Sequence, residues 1–120
     1  MKPTEIINAN FQKDGRDPSS AIRAIGAAVK AKRALILQEN NTILVIMSIG
    51  NKESEVHLFT VDSPIKVGRA LVKFLEKLNK SDINTLYITD IPEQTLNMLK
   101  TIGMVIEPSD KPNYKWMSKV

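Results

Sequence analysis

Glu55-Val-His-Leu-Phe-Thr-Val-Asp-Ser-Pro-Ile-Lys-Val-Gly-Arg-Ala-Leu-Val-Lys-Phe74 is the stretch that decides the fold. Its first part, to Val61, alternates toward β-branched and aromatic residues and predicts a buried strand. Asp62-Ser63-Pro64 is a turn, and a helix follows from about Ile65 to Asn79. Leu71, Leu75 and Leu78, with Val72 and Phe74, form its apolar stripe. The first turn is expected to carry Gly68-Arg69-Ala70. A strand that feeds such a helix start presents unpaired N–H groups at the positive end of a helix dipole, a general device for holding an anion.

Ile83-Asn-Thr-Leu-Tyr-Ile-Thr89 supplies a second strand downstream. Strand, helix and strand at this spacing make a right-handed βαβ unit with parallel neighbours. Upstream, Ala34–Gln38 and Thr42–Ser48 read as strands joined by the turn Glu39-Asn40-Asn41. Gly50-Asn51-Lys52 makes the next turn, so three strands form an antiparallel meander. Asp17-Pro18 signals a helix start, with Ile22, Ile25 and Val29 facing the core. Residues 1–16 read as irregular, with Glu5-Ile-Ile7 as an edge-strand start and a polar loop from Asn8 to Asp17. After Thr89, Asp90-Ile-Pro-Glu93 opens a short helix that Gly103 ends. Met104–Ile106 and Tyr114–Ser118 then form a hairpin.

Composition narrows the function classes. One hundred and twenty residues make one domain, expected to span 1–120. With no cysteine, disulfides, thiol catalysis and cysteine metal sites are excluded. One histidine and no spaced carboxylate cluster give no metal site. No apolar run reaches the ~18 residues of a membrane span. The amino terminus lacks a secretory signal, which implies a cytoplasmic or virion location. The net charge of +4 allows an anionic partner such as nucleic acid, but also serves solubility alone.

The element order resembles the GNAT fold of N-acetyltransferases over about residues 17 to 119. Gly68-Arg69-Ala70 matches the second half of that family's acetyl-CoA loop, Arg/Gln-x-x-Gly-x-Gly/Ala. Leu99-Lys-Thr-Ile-Gly-Met104, followed by Tyr114-Lys-Trp-Met, resembles its Tyr-x-x-x-Gly-Phe helix end and closing strand. The fold class implied is α/β (α+β), a mixed, mainly antiparallel sheet flanked by helices. Leu58-Phe-Thr-Val-Asp62, Gly68–Phe74 and Leu99–Gly103 are also similar to small GNAT-like internal virion proteins of short-tailed phages. That likeness implies a structural or ejected component with protein partners in the virion or the host.

The resemblance assigns acetyl-CoA to Val67, Gly68, Arg69 and Ala70. It places the catalytic base on the strand of Glu55, with His57 two residues on and on the same face. The bland alternatives are Gly68 as a packing glycine, Arg69 as part of the solvated ridge Lys66-Arg69-Lys73-Lys77, and His57 as a half-buried structural side chain. Asp90 reads as a helix cap or an amine ligand. Tyr114 and Trp116 read as core or lid packing, with base stacking as the alternative.

Departures from the pattern bear on activity. Ile65 stands where the family has Arg or Gln, and the loop before Gly68 is one residue short. Leu99 stands where a tyrosine often protonates the departing thiolate, and leucine donates no proton. The reading is therefore a catalytically degenerate GNAT-like protein, phage-encoded, acting as a virion component or host-interaction factor. The alternatives are an acetyl-CoA-dependent N-acetyltransferase and a small basic nucleic-acid-binding protein.

Overall fold

The computed structural model describes residues 1–120. Ten elements follow one another: α1 (Pro3–Lys13), α2 (Ser19–Lys30), β1 (Ala34–Glu39), β2 (Thr42–Gly50), β3 (Glu53–Thr60), α3 (Pro64–Asn79), β4 (Thr85–Ile88), α4 (Glu93–Thr101), β5 (Glu107–Pro108) and β6 (Trp116–Lys119). The strands form one sheet in the order β1-β2-β3-β4-β6-β5. β3 and β4 run parallel, as the βαβ reading requires, and every other neighbouring pair is antiparallel. The α/β class with a mixed, mainly antiparallel sheet flanked by helices is the observed architecture.

β2 sits inside the meander and is buried on both faces along its first half, Thr42 to Ile46. Its alternation splits the core in two. Leu44 and Ile46 join Leu86 and Ile88 of β4 beneath α3, which lays Val67, Ala70, Leu71, Phe74 and Leu78 on the sheet. Ile43 and Val45 face the other way and meet Ile6, Ile7 and Ile25 of α1 and α2. Each large side chain buried this way contributes about 1.5–3 kcal/mol of transfer free energy.

The amino-terminal segment corrects the sequence reading. Residues 1–16 are not irregular, and Glu5–Ile7 is no strand: Pro3–Lys13 is helical. Pro3 opens the helix, and the Glu5 carboxylate reaches back to the Lys2 N–H at 2.9 Å. The Ile-Ile pair and two asparagines have weak helix propensity, so local pattern favours a strand. Burial overrides it, because Ile6 and Ile7 complete the core under β2.

Smaller shifts occur elsewhere. α2 begins at Ser19, whose N–H and hydroxyl both donate to the Asp17 carboxylate, at 3.0 and 2.7 Å. Those bonds hold the Asp17 carboxyl below its usual range. The hairpin after α4 lies later than expected, at Glu107–Pro108 rather than Met104–Ile106. Met104 still belongs to the packing against the α3-side core. Gly103, at φ +102°, ends α4 in the left-handed region that its sequence position calls for.

Candidate active site

The site begins where β3 and β4 separate. Their pairing covers only Glu53–Val56 against Thr85–Ile88. β3 continues to Thr60 with β2 as its single sheet neighbour. Along this open edge, Val61 donates to the Asn41 carbonyl on the β2 side, so the alternation of an antiparallel ladder turns Thr60 and Leu58 outward. The outward groups of Thr60 are taken by one side chain of α1. Asn10 donates to the Thr60 carbonyl at 2.8 Å and accepts from its N–H at 3.2 Å. The Leu58 N–H and C=O remain without a backbone partner.

A cleft of about 790 Å³ opens at this separation. Its floor is apolar, with Leu71, Phe74 and Leu99 on the α3 side and Phe11 and Ile25 on the α1–α2 side. Glu55 and His57 both reach it, as do Asp90 and Arg16. Period two along β3 puts Glu53, Glu55 and His57 on the same face. His57 Nε2 lies 3.6 Å from Glu55 Oε2. The same carboxylate oxygen accepts from the Tyr114 hydroxyl at 3.0 Å.

Tyr114 sits beside Tyr87, with ring centroids 5.3 Å apart. The Tyr87 hydroxyl lies 2.9 Å from Asp110 Oδ1 and 3.1 Å from Glu53 Oε2. Lys111 Nζ is 3.7 Å from the other oxygen of Glu53, which sets a cation beside that carboxylate. Burial, then the hydrogen bonds to Asp110 and Glu53, push the Tyr87 hydroxyl far above the usual tyrosine range. Burial and the Glu55 carboxylate push Tyr114 upward as well. Both phenols therefore stay protonated and hold the carboxylates in place, and Glu55 keeps acceptor capacity toward the cleft.

The residues assigned to the cofactor sit elsewhere. α3 starts at Pro64, so Gly68, Arg69 and Ala70 lie in its second turn, not its first. Their N–H groups belong to the helix ladder, and Val67 donates to the Ser63 carbonyl at 3.0 Å. Val67 and Ala70 are buried under α3, Arg69 is exposed, and none of the four lines the cleft. Pro64 has no N–H, which leaves Ile65 and Lys66 as the helical amides free to meet an anion. Ile65 is 71% exposed and brings no charge to that end. The first turn has no glycine, and Pro64 removes one of its amides, so the residues present do not form the glycine-lined loop that would cradle a pyrophosphate. The open edge at Leu58 leaves one N–H and one C=O unpaired beside the cleft.

One further assignment changes. Asp90 caps nothing: Pro92 is the N-cap of α4, and Asp90 forms an exposed pair with Lys115 at 3.3 Å. Leu99 is buried in the α3-side core, where it packs and does no acid chemistry. Trp116 packs against the same core, whereas Tyr114 is part of the carboxylate cluster. Sequence reasoning missed Asn10, Tyr87, Asp110 and the Tyr114–Glu55 bond. The spacing Glu53-x-Glu55-x-His57 was the one visible sign of the cluster, since its tyrosines come from distant segments.

No protein-family model matches the chain, and no curated protein matches it. Solved structures do. An IAA acetyltransferase from Bacillus cereus aligns over 98% of this chain and 89% of its own, with TM-score 0.58 and 15% identity. A ribosomal-protein-alanine N-acetyltransferase from Brucella melitensis aligns over 86% and 75%, with TM-score 0.54 and 8% identity. A Bacillus subtilis acetyltransferase in complex with CoA aligns over 86% and 82%, with TM-score 0.53 and 14% identity. At such identities the likeness is one of architecture, and this chain has the GNAT fold of the acetyltransferases.

Proposed function

We propose that this chain is a catalytically degenerate GNAT-fold protein that works by binding a protein partner. The observation that carries the reading is the start of α3 at Pro64, which takes the Gly68 amide into the helix and leaves no phosphate cradle. Leu99 in the core supports it, because the helix end has no acid to offer a leaving thiolate. A role as a virion component or host-interaction factor of a phage rests on the short segments Leu58–Asp62, Gly68–Phe74 and Leu99–Gly103. Isothermal calorimetry with acetyl-CoA tests the reading. No heat of binding is expected at millimolar cofactor, and saturable binding that Gly68→Glu weakens would sink it.

A second reading is favoured by one observation, the meeting of Glu55 and His57 at the cleft, with Glu55 held from behind by the Tyr114 hydroxyl. In an N-acetyltransferase, Glu55 would take the proton of an acceptor amine and His57 would share it. Glu55→Gln should then abolish acetyl transfer to a panel of amines while leaving the fold intact. Absence of any acetylated product with the unaltered chain removes this reading.

A further inference from the structure

We infer that two copies of this chain associate by pairing their β1 strands into one continuous sheet. The two edges of the sheet differ sharply. β5 closes one side with two residues, one of them Pro108, so that edge is short and lacks a donor. β1 closes the other with six residues, Ala34-Leu-Ile-Leu-Gln-Glu39. It has no proline, no lysine and no bulge in its register with β2. Its one charge, Glu39, sits at the end of the strand and is engaged by Lys73 at 3.5 Å, so the edge is otherwise unblunted.

Hydrogen bonding fixes how a second copy would fit. Ser48 donates to the Arg33 carbonyl at 2.8 Å, so Arg33 faces β2, and so do Leu35, Leu37 and Glu39 by alternation. The N–H and C=O groups of Ala34, Ile36 and Gln38 point outward. The Gln38 carboxamide bonds to the carbonyls of Met1 and Asn40, and the outward main-chain groups have no partner. An antiparallel, two-fold pairing through these groups sets Ile36 against Ile36 and Ala34 against Gln38. Leu35 then lies opposite Leu37, and Arg33 opposite Glu39.

The side chains suit that register. Leu37 packs on the α3-side core, and Glu39 is held on the same face by Lys73 of α3 at 3.5 Å. Arg33, Leu35, Leu37 and Glu39 therefore line one face. Leu35 is 56% exposed there, and the Leu37 of a second copy would cover it. Arg33 is exposed and takes part in no ion pair within the chain. Across the two-fold axis it meets Glu39 twice, once at each end of the leucine row. The row is complementary to itself when reversed, as a closed two-fold interface demands.

The test is sedimentation equilibrium of the full chain over micromolar to millimolar concentration, with circular dichroism of each variant. A monomer–dimer equilibrium is expected. Arg33→Glu alone, or Glu39→Arg alone, places like charges opposite each other twice and should weaken the dimer about tenfold. Mixing the two single variants restores complementarity in the heterodimer, so the mixture should associate more tightly than either component alone. Leu35→Lys, at an exposed position, should also weaken association without altering the fold. A chain that remains monomeric at millimolar concentration overturns the inference. So does a dimer whose strength ignores the charge reversals, since it must use another surface.

Discussion

Tyr87 shows how one hydroxyl can organise a site. It is almost fully buried, and its oxygen lies within hydrogen-bond reach of two carboxylates, Glu53 and Asp110. An unfolded tyrosine titrates near pH 10, whereas folded Tyr87 and Tyr114 hold their protons to higher pH. The folded chain then binds more protons than the unfolded one above that point. The stability from these groups is complete below about pH 10 and is lost as pH rises through the folded values. Urea midpoints should fall as pH rises above about 10, and Tyr87→Phe with Tyr114→Phe should flatten that fall while lowering the midpoint at pH 7. Asn10 is the other such residue, since its carboxamide bonds both main-chain groups of Thr60 and the Ile6 carbonyl. Asn10→Ala should cost about 1–2 kcal/mol in urea denaturation, because it strips partners from part-buried backbone groups. Neither residue announces itself in the sequence. Tyr87 needs Asp110, 23 positions away, and Asn10 needs Thr60, 50 positions away. Glu55 and His57 were legible because period two on one strand is a local signal.

At the scale of elements, α3 was read well along its length and misread in its first turns. Its apolar stripe was plain, and Leu71, Phe74 and Leu78 are buried as the spacing requires, whereas Val72, read as part of it, is exposed. Its start was not, because Gly68-Arg69-Ala70 resembles a phosphate loop while Ser63-Pro64 holds the true helix signal. A Cβ at Gly68 would meet only Met98 Sδ, at 3.9 Å, an ordinary contact. Gly68→Ala should therefore stabilise the protein by about 0.5–1 kcal/mol in urea denaturation. A loss of stability would mean that the backbone there is not helical. The parallel pairing of β3 with β4 was legible for a different reason: a crossover helix of that length leaves little choice of topology. The late hairpin was not, since Val105 is 67% exposed and Met104 packs from a coil, so hydrophobicity alone put a strand where the backbone has none.

For the whole molecule, the sheet is the partition between two cores. The α3-side core is the larger, and the other depends on α1 and α2 to cover Ile43 and Val45. Residues 1–16 therefore belong to the folding unit. A chain lacking them should expose that face, bind a hydrophobic dye such as ANS and lose its sharp thermal transition. A truncated chain that melts as cooperatively as the whole would show that the second core is dispensable. The amino-terminal helix could not be read from local propensity because its reason for existing is the strand surface it covers.

β3 is a sheet interior as far as Val56 and a sheet margin from His57 onward, although it is the third strand from one border and the fourth from the other. Amide protection should divide along the same line. The N–H of Val56 should exchange with deuterated solvent only on global opening, while that of Leu58, two residues on in the same strand, should exchange orders of magnitude faster. A chain that paired with this margin would close that gap, and the Leu58 amide would report it.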